Sequence, residues 1–135
     1  MSGDIRGGCF CGAVRYRCAA APLASMVCHC NSCRRLTGAP MVAWVTLPRE
    51  QFEYEKGRPL ELRSSPGVLR TFCSACGTQL TYRNERYPDE IDVTTSSLDD
   101  PAAFPPTHHS WMRDNTPWVQ MGDGLPTYPG SRSDG

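Results

Sequence analysis

The chain has 135 residues, with 14 basic and 14 acidic side chains and a formal net charge of zero. That length suits one domain with a modest core, and the charge balance gives no global pull towards nucleic acid or anionic membrane. Twelve prolines and twelve glycines argue against a helix bundle and for short strands joined by loops.

The N-terminal MSGDIRGG has no apolar run of the kind a secretory signal needs. No stretch approaches the roughly 20 apolar residues of a membrane span. The expectation is a soluble, cytoplasmic protein without membrane or nucleic-acid partners. Its thiols stay reduced, which favours metal over disulfides as the use of clustered cysteines. No internal repeat is present. Residues 1–135 read as a single domain, with 130–135 as a frayed tail of small and charged residues.

In chain order, the first predicted strand is Ala13–Cys18, where Val14 and Tyr16 alternate with Arg15 and Arg17. Asn31–Leu36 is predicted to make one or two helical turns, stopped by Gly38. Met41–Leu47 is a nearly continuous apolar run bounded by Pro40 and Pro48. Shorter strands are predicted at Phe52–Tyr54, Pro59–Arg63, Val68–Phe72, Gln79–Tyr82 and Ile91–Thr95. Gly57-Arg58-Pro59 and Ser65-Pro66-Gly67 read as turns. A second helical turn is predicted over Asp99–Phe104, with Pro101 near its start.

Eight cysteines punctuate this pattern. Cys9-Phe10-Cys11 is followed by Gly12, and Cys73-Ser74-Ala75-Cys76 by Gly77. A glycine after a metal-binding turn supplies the positive φ that lets backbone N–H groups face the sulfurs. Cys9, Cys11, Cys73 and Cys76 therefore read as matched halves of one closed four-thiolate zinc site, the structural type. Such a site pins segments more than sixty residues apart, which matters in a domain with little core.

Cys28, Cys30 and Cys33 differ. They offer three ligands and leave one corner open for water or substrate, the arrangement of catalytic zinc. The adjacent Arg34 and Arg35 read as candidate contacts to a substrate anion. Two zinc ions per chain are expected. Disulfides, or a single zinc with the second cluster redox-active, are the other readings of the spacing. Cys18 has no partner at metal spacing and reads as a small buried residue. His29 reads as a fourth ligand, a proton shuttle, or a side chain turned away from the metal. His108 and His109 read either as surface residues beside two core tryptophans, Trp111 and Trp118, or as part of a pocket wall.

Taken together, Gly8-Cys9-Phe10-Cys11-Gly12-Ala13-Val14, the Cys28–Arg35 run with Gly38 and Ala39, and Phe72-Cys73-Ser74-Ala75-Cys76-Gly77-Thr78 resemble one known family. A tail with His109, Trp111, Pro117, Trp118, Asp123, Leu125-Pro126 and Tyr128 completes the pattern. It is similar to the glutathione-dependent formaldehyde-activating enzymes, a family that also contains centromere protein V. The resemblance implies a mostly β fold of the β-tent type and zinc at both clusters. It also implies carbon–sulfur lyase chemistry that joins glutathione, or another small thiol, to formaldehyde or a related carbonyl. Three thiolates weaken a metal as a Lewis acid, so holding the thiol as its anion is favoured over polarising the carbonyl. The rival class is an interaction module in which both zinc ions are structural.

Overall fold

The computed structural model describes residues 4–134. The chain is mostly β, with two sheets and one short α-helix. Strands β1 (Ile5–Gly8), β2 (Arg15–Cys18) and β5 (Phe52–Lys56) form the smaller sheet, in the order β1-β2-β5. The larger sheet contains β3 (Ala24–Cys28), β4 (Val42–Pro48), β6 (Leu60–Ser65), β7 (Val68–Phe72), β8 (Gln79–Asn84), β9 (Glu90–Thr94) and β10 (His109–Ser110). Its order is β10-β3-β4-β9-β8-β7-β6, antiparallel except for the parallel pairing of β10 with β3.

The period-2 pattern decides what each face does. Tyr16 and Cys18 from β2 meet Val45 and Leu47 from β4 and Ile91 and Val93 from β9, so the main core fills the space between the two sheets. The intervening positions of the larger sheet, Trp44, Thr46 and Asp92, line a cavity on its opposite face. One register row runs across that face from Arg70 through Tyr82 and Asp92 to Thr46. This row is the floor under the functional site.

The seven strands read from the sequence all form, with boundaries within two residues. Three more appear. β1 and β10 are short, and β10 spans only His109–Ser110. β3 carries Ala24, Ser25 and Met26 beside the cysteine run, a composition with little strand signal. Its place is set by pairing with β4. The helix α1 covers Asn31–Thr37 and ends at Gly38 in the left-handed conformation, whose N–H donates to the Arg34 carbonyl. The second predicted turn shortens to a 3-10 turn at Pro101–Ala103.

The C-terminal tail is a correction. Gly130, expected to begin a frayed segment, is buried, and its carbonyl accepts from the Trp111 N–H. Arg132–Asp134 forms a 3-10 turn, and Ser131 and Arg132 line the cavity. Gly135 lies outside the described residues.

Candidate metal centres and their cavity

The first cluster is built by two hairpins. The loop between β1 and β2 carries Cys9 and Cys11, and the loop between β7 and β8 carries Cys73 and Cys76. Each is held the same way: Cys9 N–H donates to the Val14 carbonyl, and Cys73 N–H to the Thr78 carbonyl, both at 3.0 Å. Gly12 and Gly77 each adopt φ of 81°, as their place after the cysteines predicts. A Cβ at either would meet nothing within 4 Å, so the backbone angle, not space, calls for glycine. Thr78 ties the halves together, its hydroxyl accepting from Phe10 N–H at 3.0 Å and lying 3.1 Å from Cys76 Sγ. That hydroxyl and the backbone hold the Cys76 thiol down at about 5.

The second cluster lies at the junction of β3 and α1. Cys28 ends β3, Cys30 caps α1 by accepting from the Cys33 N–H at 3.3 Å, and Cys33 is buried in the first turn. Side-chain hydrogen bonds from Cys28 and then Cys33 pull the Cys30 thiol well below the usual range, while the contact with Cys30 pushes Cys28 up.

Both clusters pass a geometric test for a tetrahedral metal. Metal–sulfur bonds of about 2.3 Å give sulfur–sulfur edges of about 3.8 Å. Cys9–Cys11 and Cys11–Cys73 are 3.7 and 3.8 Å apart, and Cys28–Cys33 3.6 Å. Within each cluster the sulfurs all lie within 4.8 Å of one another. A disulfide needs about 2.05 Å, and all eight cysteines are free thiols. The two groups can each hold a metal ion.

Their surroundings differ. The three-cysteine cluster opens into a cavity of about 620 Å³ under α1 and the C-terminal segment, and none of the four-cysteine cluster lines it. Trp44 forms part of the wall, as does Trp111, which is held in the left-handed region at φ 60°. A non-glycine residue there costs about 1–2 kcal/mol, and Trp111 N–H and Met112 N–H secure it to the Gly130 and Tyr128 carbonyls.

The sequence expectations for the remaining residues fare unevenly. Arg34 and Arg35 sit in the last turn of α1, where they complement the helix dipole, and neither lines the cavity. The cation that does reach the cluster is Arg70 of β7, with Nη1 3.7 Å from Cys33 Sγ. A charged residue two places from Val68, at the inward parity of a strand, was its only sequence signal. His29 belongs to neither cluster. Its ring is fully buried and turned towards His109, Nε2 to Nδ1 at 3.0 Å, and His109 Nε2 donates to Asp123 at 2.9 Å. His108 and His109 are buried, not on the surface. Trp118 is 74% exposed, so it is no core residue. Cys18 is fully buried in the main core, where burial pushes its thiol up.

Asp92 on the cavity floor carries a pH signature. Burial raises its carboxyl to about 6, against the opposing hydrogen bond from the Thr46 hydroxyl. The folded chain therefore binds this proton more tightly than the unfolded one. Its contribution to stability is complete below the unfolded value near 3.8 and is lost as pH rises through about 6. Asp92→Asn keeps an acceptor for Thr46 and removes the ionisation. At pH 7.5 it is expected to stabilise the metal-loaded chain by about 1–2 kcal/mol, with the gain shrinking towards pH 5. Thermal melts of both chains across that range check this; a gain independent of pH would contradict it.

The fold and site define a small, mostly β protein with two cysteine clusters able to hold metal, one closed and one facing a cavity. The chain belongs to the glutathione-dependent formaldehyde-activating enzyme family, whose model matches residues 4–114. A Halomonas elongata protein named "Putative glutathione-dependent formaldehyde-activating enzyme" is 31% identical over 127 residues, covering 87% of this chain and 80% of its own. The crystal structure of a Rhodobacter sphaeroides protein shares the fold with a TM-score of 0.61 at 19% identity, covering 91% of this chain and 99% of that one. No helix among the described residues is long and apolar enough to cross a membrane.

Proposed function

We propose that the chain is a zinc-dependent carbon–sulfur lyase of the cytoplasm that adds a small thiol to formaldehyde or a related small carbonyl, and runs the reverse reaction. In this reading Cys9, Cys11, Cys73 and Cys76 hold a structural zinc, and Cys28, Cys30 and Cys33 a second zinc with a free corner. The observation that carries it is the opening of the three-cysteine cluster alone into the 620 Å³ cavity. A closed cage has no chemistry to offer a substrate, whereas three ligands beside a cavity leave room for one.

The overall reaction balances simply. A C–S bond forms between the thiol sulfur and the carbonyl carbon, the C–O π bond breaks, and the thiol proton ends on oxygen. The metal would lower the pKa of the substrate thiol. The chain's own residues supply the rest. Cys30 starts α1 and so fixes the spacing of Cys28 and Cys33. Trp44 and Trp111 give the site apolar walls against which a substrate can pack. Asp92 and Thr46 offer polar partners on the floor for the distal end of the thiol. Glutathione is the first thiol to test, following the name of the family.

Calorimetric titration of glutathione into metal-loaded protein is expected to show one site per chain with a dissociation constant of millimolar or tighter. Formaldehyde added to that complex should give the hydroxymethyl thioether faster than in buffer, read by NMR. If glutathione does not bind but a smaller thiol does, the reaction class stands and glutathione is not the substrate. If no thiol binds at tens of millimolar, the reading fails.

A further inference from the structure

Arg70 is an unusual residue to find in the middle of a strand. It is 5% exposed, and a guanidinium remains charged in a protein. A buried charge is costly unless an opposite charge or hydrogen bonds answer it. Yet no carboxylate among the described residues forms a salt bridge with it. Its Nε donates to the Ser64 hydroxyl at 3.1 Å, its guanidinium lies 4.9 Å over the Tyr82 ring, and its Nη1 reaches Cys33 Sγ at 3.7 Å. On the metal reading, the thiolates of this cluster answer the buried cation at hydrogen-bond range, while the Asp92 carboxylate on the cavity floor acts on it only through space.

The four-cysteine cluster provides the contrast. Cys11 is exposed and Cys76 half-buried, so water helps offset charge there, together with backbone N–H groups and Thr78. Among the described residues no arginine donates to any of its four sulfurs. Each cluster has two buried cysteines, Cys9 and Cys73 in one and Cys28 and Cys33 in the other, but the three-cysteine cluster has no exposed member like Cys11, and it is the one with an arginine. Three thiolates on a divalent ion carry roughly one net negative charge, and a fourth anionic sulfur would bring it to about two. In a buried setting the second charge is strongly opposed.

We propose that Arg70 is the specificity-determining residue of the open corner: its fixed positive charge, held by Ser64 and Tyr82 against Cys33, lets that corner take a thiol as its anion. The inference rests on the metal reading of the cluster given above and adds which residue selects the ligand. Arg34 and Arg35, outside the cavity, take no part.

The test uses the full chain loaded with cobalt(II), whose sulfur-to-cobalt charge-transfer absorption reports a new thiolate directly. Two probes are titrated, 2-mercaptoethanol with a neutral tail and 3-mercaptopropionate with a carboxylate tail. Arg70→Gln is expected to weaken both by about tenfold or more, and Arg70→Lys, which keeps the charge, to recover most of that loss. Unchanged binding of both probes to Arg70→Gln would overturn the proposal. So would a loss confined to 3-mercaptopropionate, because Arg70 would then be holding the tail. If Arg70→Gln fails to load its second cobalt, Ser64→Ala frees Nε and should weaken both probes by about threefold; unchanged affinity there also overturns it. A wild-type cobalt protein that binds neither probe removes the underlying metal-site reading as well, a failure distinct from any shown by the Arg70 variants.

Discussion

Cys73→Ser is expected to cost the chain most of its stability. Cys73 is 1% exposed and belongs to the main core. Its sulfur sits 3.8 Å from Cys11 Sγ on the other hairpin. On the proposed reading the closed cage ties the β1–β2 hairpin to the β7–β8 hairpin, whose loops lie far apart in sequence. Structural zinc contributes about 10–16 kcal/mol in small zinc-folded peptides, as much as the whole net stability of an ordinary domain. Serine is a poor ligand at neutral pH and also places a hydroxyl in the core. If only about 5 kcal/mol is lost, the melting temperature of a chain this long falls by about 15 °C. Circular dichroism melts with and without chelator read the effect: the large chelator sensitivity of the wild type should vanish in the variant. A Cys73→Ser chain that keeps its metal and melts within a few degrees of wild type would refute the structural role.

Cys30→Ser should do the opposite, abolishing activity while sparing the fold. Cys30 is half-buried, lies outside the main core and starts α1 by accepting from the Cys33 N–H. Serine is among the best residues at that helix position, so the local backbone has every reason to persist. The cluster nevertheless drops from three thiolates to two. The expected result is one metal ion fewer per chain, carbon–sulfur bond formation at the background rate, and a melting temperature lowered by only about 5 °C or less. The pair of variants is diagnostic because the two clusters are proposed to do different jobs. If Cys30→Ser collapsed the fold as Cys73→Ser does, both metals would be structural and the interaction-module reading would replace the enzyme. Retained activity with a metal missing would place the chemistry elsewhere.

The two predictions differ because the surroundings differ, not the sulfurs. Both clusters have similar sulfur–sulfur edges. The first is held between two hairpin loops and borders no part of the cavity. The second faces open volume, bordered by aromatic rings and one arginine.

Much of the metal chemistry was legible in the order of residues alone. Cysteine spacing and the following glycines grouped Cys9 with Cys11, Cys73 and Cys76, because the local turn that presents two thiols is encoded within a few residues. Cys28, Cys30 and Cys33 were legible for the same reason. Strands such as Val68–Phe72 and the stop at Gly38 followed from alternation and backbone preference. What depends on distant pairing came only with the folded chain. β3 and β10 form because β4 and the tail lie beside them, not from their own propensity. Arg34 and Arg35, neighbours of the cluster in sequence, lie outside the cavity lining, because the helix rotates each residue by roughly 100° from the last. Arg70, thirty-seven positions from Cys33, arrives beside it because β7 and the start of α1 border the same cavity. Local chemistry is written in adjacent letters. The charge that tunes it comes from another strand, and only the folded register brings the two together.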